Sequence, residues 1–320
     1  MKRLRAALIT ASFALGASAG AQARPELDIG PTLDRLVRLG EDKPALALKG
    51  LLSVPVDSAN QQRLRLLARG LVLASNGLDH DSRLVADELR LQDPAPHSAA
   101  GRAAGELVLA TLSDTQGRPD LAEIHARAAI EASDAVCAGT GVHPADCDLR
   151  LRWAAATLRQ RAASGRGAAI EARQHAQMAY DAAQRADDRY RLARSEATLA
   201  MLAARAGDAA TATERRAAAH TLARGLGDAE LTVRLTLFDA IVAAALGQEA
   251  TARRATETGL AAARSAGFTR LEAIGWVNRS DHELRAGRPA AALDAALRAL
   301  PVMRRHRDTR NERTLLHNAG

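Results

Sequence analysis

Small and apolar residues recur in this chain at fixed distances from a series of glycines. Four of these glycines are spaced by 40 residues each time: Gly167, Gly207, Gly247 and Gly287. Gly77 and Gly117 are also 40 residues apart, and Gly40 lies 37 before Gly77. Each glycine separates two helical stretches, which predicts a repeated pair of helices with the glycine in the turn between them.

A second turn is expected midway between successive glycines, where four dipeptides share one register. They are Asp187-Asp188, Gly227-Asp228, Gly267-Phe268 and Arg307-Asp308. Aspartate at the second position suits a helix N-cap, because its carboxylate accepts from free backbone N–H groups. The pattern therefore predicts two helices of about 17–18 residues in each unit, joined by tight turns.

Small residues hold most positions of three further slots of the repeat, and the exceptions are Leu52, Leu89 and Gln160. Five residues after the glycine stand Ala45, Ser82, Ala122, Ala172, Ala212, Ala252 and Ala292. Twelve residues after it stand Leu52, Leu89, Ala129, Ala179, Ala219, Gly259 and Ala299. Seven residues before it stand Gly70, Ala110, Gln160, Ala200, Ala240 and Ser280. Small side chains at fixed slots allow neighbouring helices to cross closely.

Composition agrees with an all-α fold. Alanine, the best helix former, dominates, and aromatic residues make up only 2% of the chain. The β-formers Val, Ile, Thr and Tyr that a sandwich would need are scarce. Beyond the first 23 residues the chain has 41 basic and 37 acidic residues. This mild excess of arginine is not the charge distribution of a nucleic-acid-binding protein.

In these offsets the chain resembles the tetratricopeptide repeat family. Gly117 through Ala129 and Gly287 through Ala299 fit best, and Trp276 falls where the family often has a first-helix tryptophan. The 40-residue period exceeds the family's usual 34 or so, and the second-helix aromatic slot is not aromatic. That slot holds Ala126, Ala176, Arg216, Thr256 and Ala296. The chain thus looks like a divergent, longer-helix branch of the family.

The resemblance, which covers about residues 30 to 320, implies a right-handed superhelical solenoid of about seven antiparallel helix pairs. In this family the first helices line a concave face that binds extended peptides or partner helices. The family's groove positions, carried onto this chain, are Arg161, Arg194, Met201, Arg205, Arg234, Ile241, Asp281 and Arg285. Several are arginines, which would suit an acidic peptide through bidentate pairing; the alternative is a role in solubility alone.

The N-terminus has the layout of a secretory signal peptide. A basic start precedes an apolar stretch that closes on Ala21-Gln22-Ala23, an A-x-A cleavage pattern. We expect a signal peptide at 1–23, a single helical-repeat domain at 24–320 and a periplasmic location; the alternative is an ordinary N-terminal helix. No apolar run long enough to cross a membrane follows, and the longest, Leu235 to Leu246, contains Asp239.

The chain has two cysteines, Cys137 and Cys147, which flank a stretch with two glycines and a proline. In a secreted protein such a pair predicts a disulfide, whose short loop would contribute about 2–3 kcal/mol on the chain-entropy estimate. A metal site that includes His143 and Asp146 is the alternative, although the spacing is not a zinc pattern.

No catalytic motif, metal site or cofactor site can be identified. The nine histidines include no pair at i, i+4, and no phosphate-binding glycine loop or nucleophile elbow occurs. A hydrolase or lyase on a helical toroid would need converging acids in a cavity. The basic run from Arg304 to Arg310 could meet an acidic partner or an anionic membrane, but a solvated helix end explains it better.

The repeat pattern continues up to the last residue. A first helix that begins after Asp308 would reach its glycine near position 327, whereas the sequence stops at Gly320. This ending resembles the periplasmic repeat region of bacterial tetratricopeptide-containing diguanylate cyclases, cut before the membrane span; the alternative is a frayed terminal helix. We expect a protein-interaction scaffold with a protein or peptide partner, and as the alternative the sensory region of such a signalling enzyme.

Overall fold

A computed structural model describes residues 28–91, 98–137 and 148–320. These residues form fifteen α-helices in chain order. The helices are α1 (Gly30–Asp42), α2 (Pro44–Leu52), α3 (Ala59–Ser75), α4 (Asp79–Leu91), α5 (Ser98–Thr115), α6 (Pro119–Cys137), α7 (Leu149–Gly165), α8 (Ala169–Arg185), α9 (Arg189–Arg205), α10 (Ala209–Leu226), α11 (Ala229–Ala245), α12 (Glu249–Ala266), α13 (Thr269–Arg285), α14 (Pro289–Arg305) and α15 (Thr309–Ala319). Seven helix pairs followed by α15 confirm the predicted all-α helical-repeat solenoid.

Left-handed backbone at both kinds of turn sets the length of the helices. All six glycines from Gly77 to Gly287 that the 40-residue pattern predicts as turns have φ between 62° and 80°. At the second kind of turn Gly227 and Gly267 have φ of 62° and 72°, and two non-glycine residues, Asp187 and Arg307, have φ of 48° and 50°. From α7 to α14 the helices span 17–18 residues, which confirms the predicted length.

Aspartates cap the first helices as the sequence predicts. The carboxylates of Asp188, Asp228 and Asp308 each accept from a backbone N–H three residues further on, at 2.9–3.1 Å. Asp148 caps α7 in the same way. From α7 onward α13 is the exception among the first helices, since its N-cap residue is Phe268, whose side chain accepts no such bond; the N-cap residues of α1 and α3 are Ile29 and Ser58.

The small-residue slots lie where helices touch. The alanines five residues after each glycine from Gly117 onward are at most 2% exposed. A Cβ on Gly70 would stand 2.6 Å from Val108, and one on Gly259 would stand 2.6 Å from Leu237. Such distances are shorter than real Cβ contacts, so a larger residue at either position would force the facing side chain to shift.

The first unit departs from the predicted register. Gly40 is not a turn residue: it lies within α1, buried against Val72, and the chain turns at Lys43 before Pro44 opens α2. Ala45 and Leu52 are consequently exposed, Leu52 by 75%, and Ala47 and Leu51 are buried instead. The proline caused this shift, because it ends one helix and begins the next two residues later than the glycine spacing indicates.

Three predictions fall wholly or partly outside the described residues. The signal peptide at 1–23 lies there, as do Cys147 and the two residues of the alternative metal site, His143 and Asp146. Cys137 is the last residue of α6. The disulfide, the cleavage near Arg24 and the periplasmic location therefore stay predictions.

The solenoid closes on itself. The odd-numbered helices pack side by side, for example α3 on α5 and α11 on α13. Within the described residues α1 also packs against α13, and α15 against α5, although these elements are far apart in the sequence. The two ends of the superhelix therefore meet after one turn, and the odd-numbered helices form its inner, concave face.

Candidate binding site on the concave face

A cavity of about 680 Å³ opens on the concave face in the N-terminal half of the solenoid. It lies between the inner helices α1, α3, α5 and α7. The apolar part of its lining is contributed mainly by Leu33, Val37, Leu64, Leu67, Leu71, Ala104, Leu107, Leu151 and Ala154. This volume is in the range of pockets that bury most of a small ligand or a few residues of a peptide.

The repeat explains why the cavity is apolar here. Thirteen residues before the turn glycine, the inner helices α3, α5 and α7 carry Leu64, Ala104 and Ala154, and all three line the cavity. In α9 and α11 the same slot holds the arginines Arg194 and Arg234. At this slot the concave face therefore carries apolar residues on α3, α5 and α7, arginines on α9 and α11, and Ile274 on α13.

Charged side chains also line the cavity: Asp28, Asp34, Arg63, Asp148, Arg150, Arg185 and Arg191. Asp34 of α1 lies between Arg191 of α9, at 2.8 Å, and Arg150 of α7, at 3.8 Å. Burial works against the charged form of Arg191, but its ion pairs with Asp34 and Asp188 outweigh burial and raise its pKa. Arg185 at the end of α8 also lines the cavity, and its side chain is exposed.

Trp153 joins α7 to α9 at the edge of the cavity. Its indole Nε1 donates to Ser195 Oγ at 3.0 Å, so the two inner helices are separated by a large side chain rather than by alanines. The guanidinium carbons of Arg191 and Arg194 lie 5.3 Å and 5.0 Å from the centre of the tryptophan ring. Such cation–π contacts hold both arginines toward the concave face.

The predicted groove arginines fall into two groups. Arg161 and Arg234 already have carboxylate partners: Arg161 pairs with Asp114 at 3.0 Å, and Arg234 pairs with Glu41 at 2.8 Å and with Glu230. Burial of Arg234 disfavours its charge, yet the Glu41 and Glu230 carboxylates raise its pKa. Part of the charge of each arginine is therefore already paired within the chain.

The other groove arginines have fewer internal partners. Arg194 stacks on Trp153 and on Tyr190, at 5.9 Å from the latter ring, and Arg205 is exposed at the end of α9. Arg285 pairs with Asp281 at 3.0 Å.

The two apolar groove positions are Met201 and Ile241. Met201 is buried in the core, and Ile241 is half-buried. Contact of any of the eight groove residues with a partner stays a prediction.

Helix α1 lies across the N-terminal ends of three inner helices. Besides Asp34 on Arg191, its Arg38 lies 3.6 Å from Asp228 and 4.4 Å from the centre of the Tyr190 ring, and its Glu41 pairs with Arg234. Burial would raise the pKa of Glu41, but the charges of Arg234, Arg270 and Arg194 lower it to about 2. Glu41 is therefore a carboxylate at every pH near neutrality.

Asp42 supplies the cap that α13 lacks. Its Oδ1 accepts from the backbone N–H of Arg270, the second residue of α13, at 2.5 Å. Burial and the neighbouring Glu41 raise the pKa of Asp42, although the bond from Arg270 opposes them. A residue of the first unit thus caps a helix of the last complete unit.

Residues in or near the turns of the early units also contact the last helices. Asn76, beside turn glycine Gly77, accepts at Oδ1 from Nδ1 of His306 at 2.8 Å, and its amide donates to the Gly40 carbonyl at 2.9 Å. Arg310 pairs with Asp114 at 3.2 Å. The joint between the two ends is therefore made of buried, directional polar contacts rather than apolar packing.

The described residues show neither a metal cluster nor a span. Within 28–91, 98–137 and 148–320 no three His, Cys, Asp or Glu side chains are grouped so that they could hold a metal ion. No helix of the described part is long and apolar enough to cross a membrane. Two residues of the basic run at 304–310 have contacts within the chain. Arg304 pairs with Glu312 at 2.8 Å, and Arg307 contacts Gly77.

Comparison with known proteins supports the fold. No family model matches the chain, and no curated protein matches it. Among solved structures, a Rap protein complexed with competence and sporulation factor matches with a TM-score of 0.58 and 13% identity over 86% of this chain and 75% of that one. The apo form of RapI matches with a TM-score of 0.56 and 10% identity over 86% and 98%.

These neighbours are tetratricopeptide-like helical solenoids, so the fold assignment is confirmed. The resemblance to the repeat region of diguanylate cyclases finds no support in these comparisons.

Proposed function

We propose that this chain is a protein-interaction scaffold that binds a peptide segment of a partner protein in the concave cavity. The observation that carries the proposal is the apolar cavity of about 680 Å³ between α1, α3, α5 and α7. A Rap protein of similar fold was solved in complex with competence and sporulation factor, which supports the use of this kind of solenoid for binding. The predicted signal peptide supports action outside the cytoplasm.

The lining indicates the chemistry of the peptide. Leucine and alanine side chains form most of the cavity, so the segment inside it should present apolar side chains. Arg185 lines the cavity with an exposed side chain, and it would favour an acidic residue of the segment there. The scaffold would thus recognise a segment with an apolar core and an acidic residue at one end.

A selection of random peptides displayed on phage, with the purified chain as bait, tests the proposal. Ala154→Arg introduces into the cavity the side chain that Arg194 and Arg234 already show to be compatible with this helical slot. We expect the selected peptides to lose binding to Ala154→Arg by about tenfold or more. Ala261→Arg, on the exposed face of α12, is the matched control and should bind normally.

Two results would refute the proposal. The selection could yield no peptide with saturable binding to a bait whose circular dichroism is helical. Alternatively, Ala154→Arg could bind the selected peptides as tightly as Ala261→Arg does, which would place their site elsewhere on the solenoid.

A further inference from the structure

The two ends of helix α1 have different contacts. Leu33 and Val37, on its N-terminal part, form one wall of the cavity. Glu41 and Asp42, at its C-terminal end, lie away from the cavity and hold α1 on α11 and α13. A single rigid helix of 13 residues, about 20 Å long, therefore links the wall of the cavity to the joint between the ends of the solenoid.

The contacts of α1 with the later units are polar and specific. Its carboxylates meet the N-terminal ends of inner helices, where the helix dipole and free N–H groups favour negative charge. The Asp42 bond to Arg270 N and the Glu41 pair with Arg234 connect residues 228 and 193 positions apart in the sequence. Arg270 adds a bond to the Ser75 carbonyl at 2.9 Å and one to Asp308 at 3.2 Å.

Apolar packing of α1 is one-sided. Its leucines and valines pack with residues of α2 and α3, such as Leu51, Ala68 and Val72, in a core cluster of the first two units. Toward α9, α11 and α13 its contacts are the ion pairs and the cap described above. Loss of the Glu41 and Asp42 contacts would loosen the C-terminal end of α1 from α11 and α13, whereas Asp34 and Arg38 would still contact Arg191 and Asp228.

We propose that α1 is a latch that couples closure of the superhelix to occupancy of the concave cavity. The inference rests on the proposed binding site and adds its regulation. A ligand that packs against Leu33 and Val37 stabilises the closed ring, because it binds the arrangement in which α1 completes the cavity. By reciprocity, release of Glu41 and Asp42 from the later units weakens the ligand at a distance.

The test uses a double variant, Glu41→Gln with Asp42→Ala, and a neutral apolar dye, N-phenyl-1-naphthylamine, as the cavity probe. Both substitutions lie outside the cavity lining. The matched control is Glu131→Gln with Asp294→Ala, which removes two exposed carboxylates from the outer helices α6 and α14. Probe fluorescence gives the affinity, and hydrogen exchange followed by mass spectrometry gives the protection of α1.

We expect the latch variant to bind the probe about tenfold more weakly than the wild type and to exchange the α1 amides faster, with α3 unchanged. Probe should protect α1 in the wild-type chain, and the control variant should match the wild type in every respect. Equal probe affinity in the latch variant, with the probe still blocked by Ala154→Arg, would refute the coupling and leave the binding site in place. If the probe does not bind the wild type, or if it binds Ala154→Arg with the same affinity as the wild type, the binding site and the coupling are both refuted.

Discussion

At the scale of single residues, charge and caps rather than apolar packing join the two ends of the solenoid. Glu41 faces Arg234 with Arg270 and Arg194 close by, and Asp42 caps α13 from another unit. Aspartate caps were visible in the sequence because Asp188, Asp228 and Asp308 stand in register. The cap on α13 was not, because its residue lies 228 positions away. No local pattern reports a contact of that kind.

Glu41 should give stability that depends on pH in a known direction. Its pKa is lowered from 4.5 to about 2 in the folded chain, so its contribution is present above pH 4.5 and is lost as the pH falls toward 2. Glu41→Gln lacks this titration. The difference in urea midpoint between wild type and variant should therefore shrink steadily over that range; a constant difference would show that Glu41 is not held by the arginines.

Asp42 should stabilise α13 through its acceptor oxygen. Asp42→Ala is expected to lower the free energy of unfolding by about 1 kcal/mol, the usual value of an N-cap, whereas Asp42→Asn keeps an acceptor and should lose much less. Urea denaturation of both variants measures this. Asp208→Ala, which removes an exposed cap from within its own unit, is the reference. Equal losses for Ala and Asn at position 42 would assign the effect to charge instead.

At the scale of helices, the features that depend on residues close in sequence were predicted correctly. The 40-residue period, the turn glycines and the small slots from Gly117 onward all follow from turn conformation and close helix crossing, which act between residues near in sequence. Sequence reasoning was wrong in the first unit, where Pro44 moved the turn past Gly40. It also did not find the cavity, which depends on how four helices from different units are spaced.

Gly165 and Gly167 lie in one turn and allow the effect of backbone conformation to be measured apart from the effect of packing. Gly167 has φ of 75° and Gly165 ends α7 in helical backbone, and neither would bring a Cβ within 4 Å of another group. Gly167→Ala should destabilise the chain by about 1–2 kcal/mol, because only the left-handed backbone is at issue. Gly165→Ala should stabilise it by up to about 1 kcal/mol. Thermal or urea unfolding decides, and shifts of the same sign would contradict the assignment of the turn.

At the scale of the whole molecule, the slot thirteen residues before the turn glycine is apolar on α3, α5 and α7 and cationic on α9 and α11. Leu64, Ala104 and Ala154 hold the slot that Arg194 and Arg234 hold further along the chain. Most of the groove positions taken from the family resemblance are arginines. One of them, Arg234, is paired with Glu41 of α1. The apolar residues at this slot can be identified in the sequence. That they line a cavity could not be predicted, because the cavity forms only where α1 packs beside α3, α5 and α7.

The central claim is that the concave cavity between α1, α3, α5 and α7 is the binding site. A crystal structure of the chain with a display-selected peptide tests it most directly. The account predicts peptide density packed against Leu33, Leu67 and Leu107, with the ring closed and Glu41 still on Arg234. Peptide density on the outer helices, with the cavity empty, would contradict it.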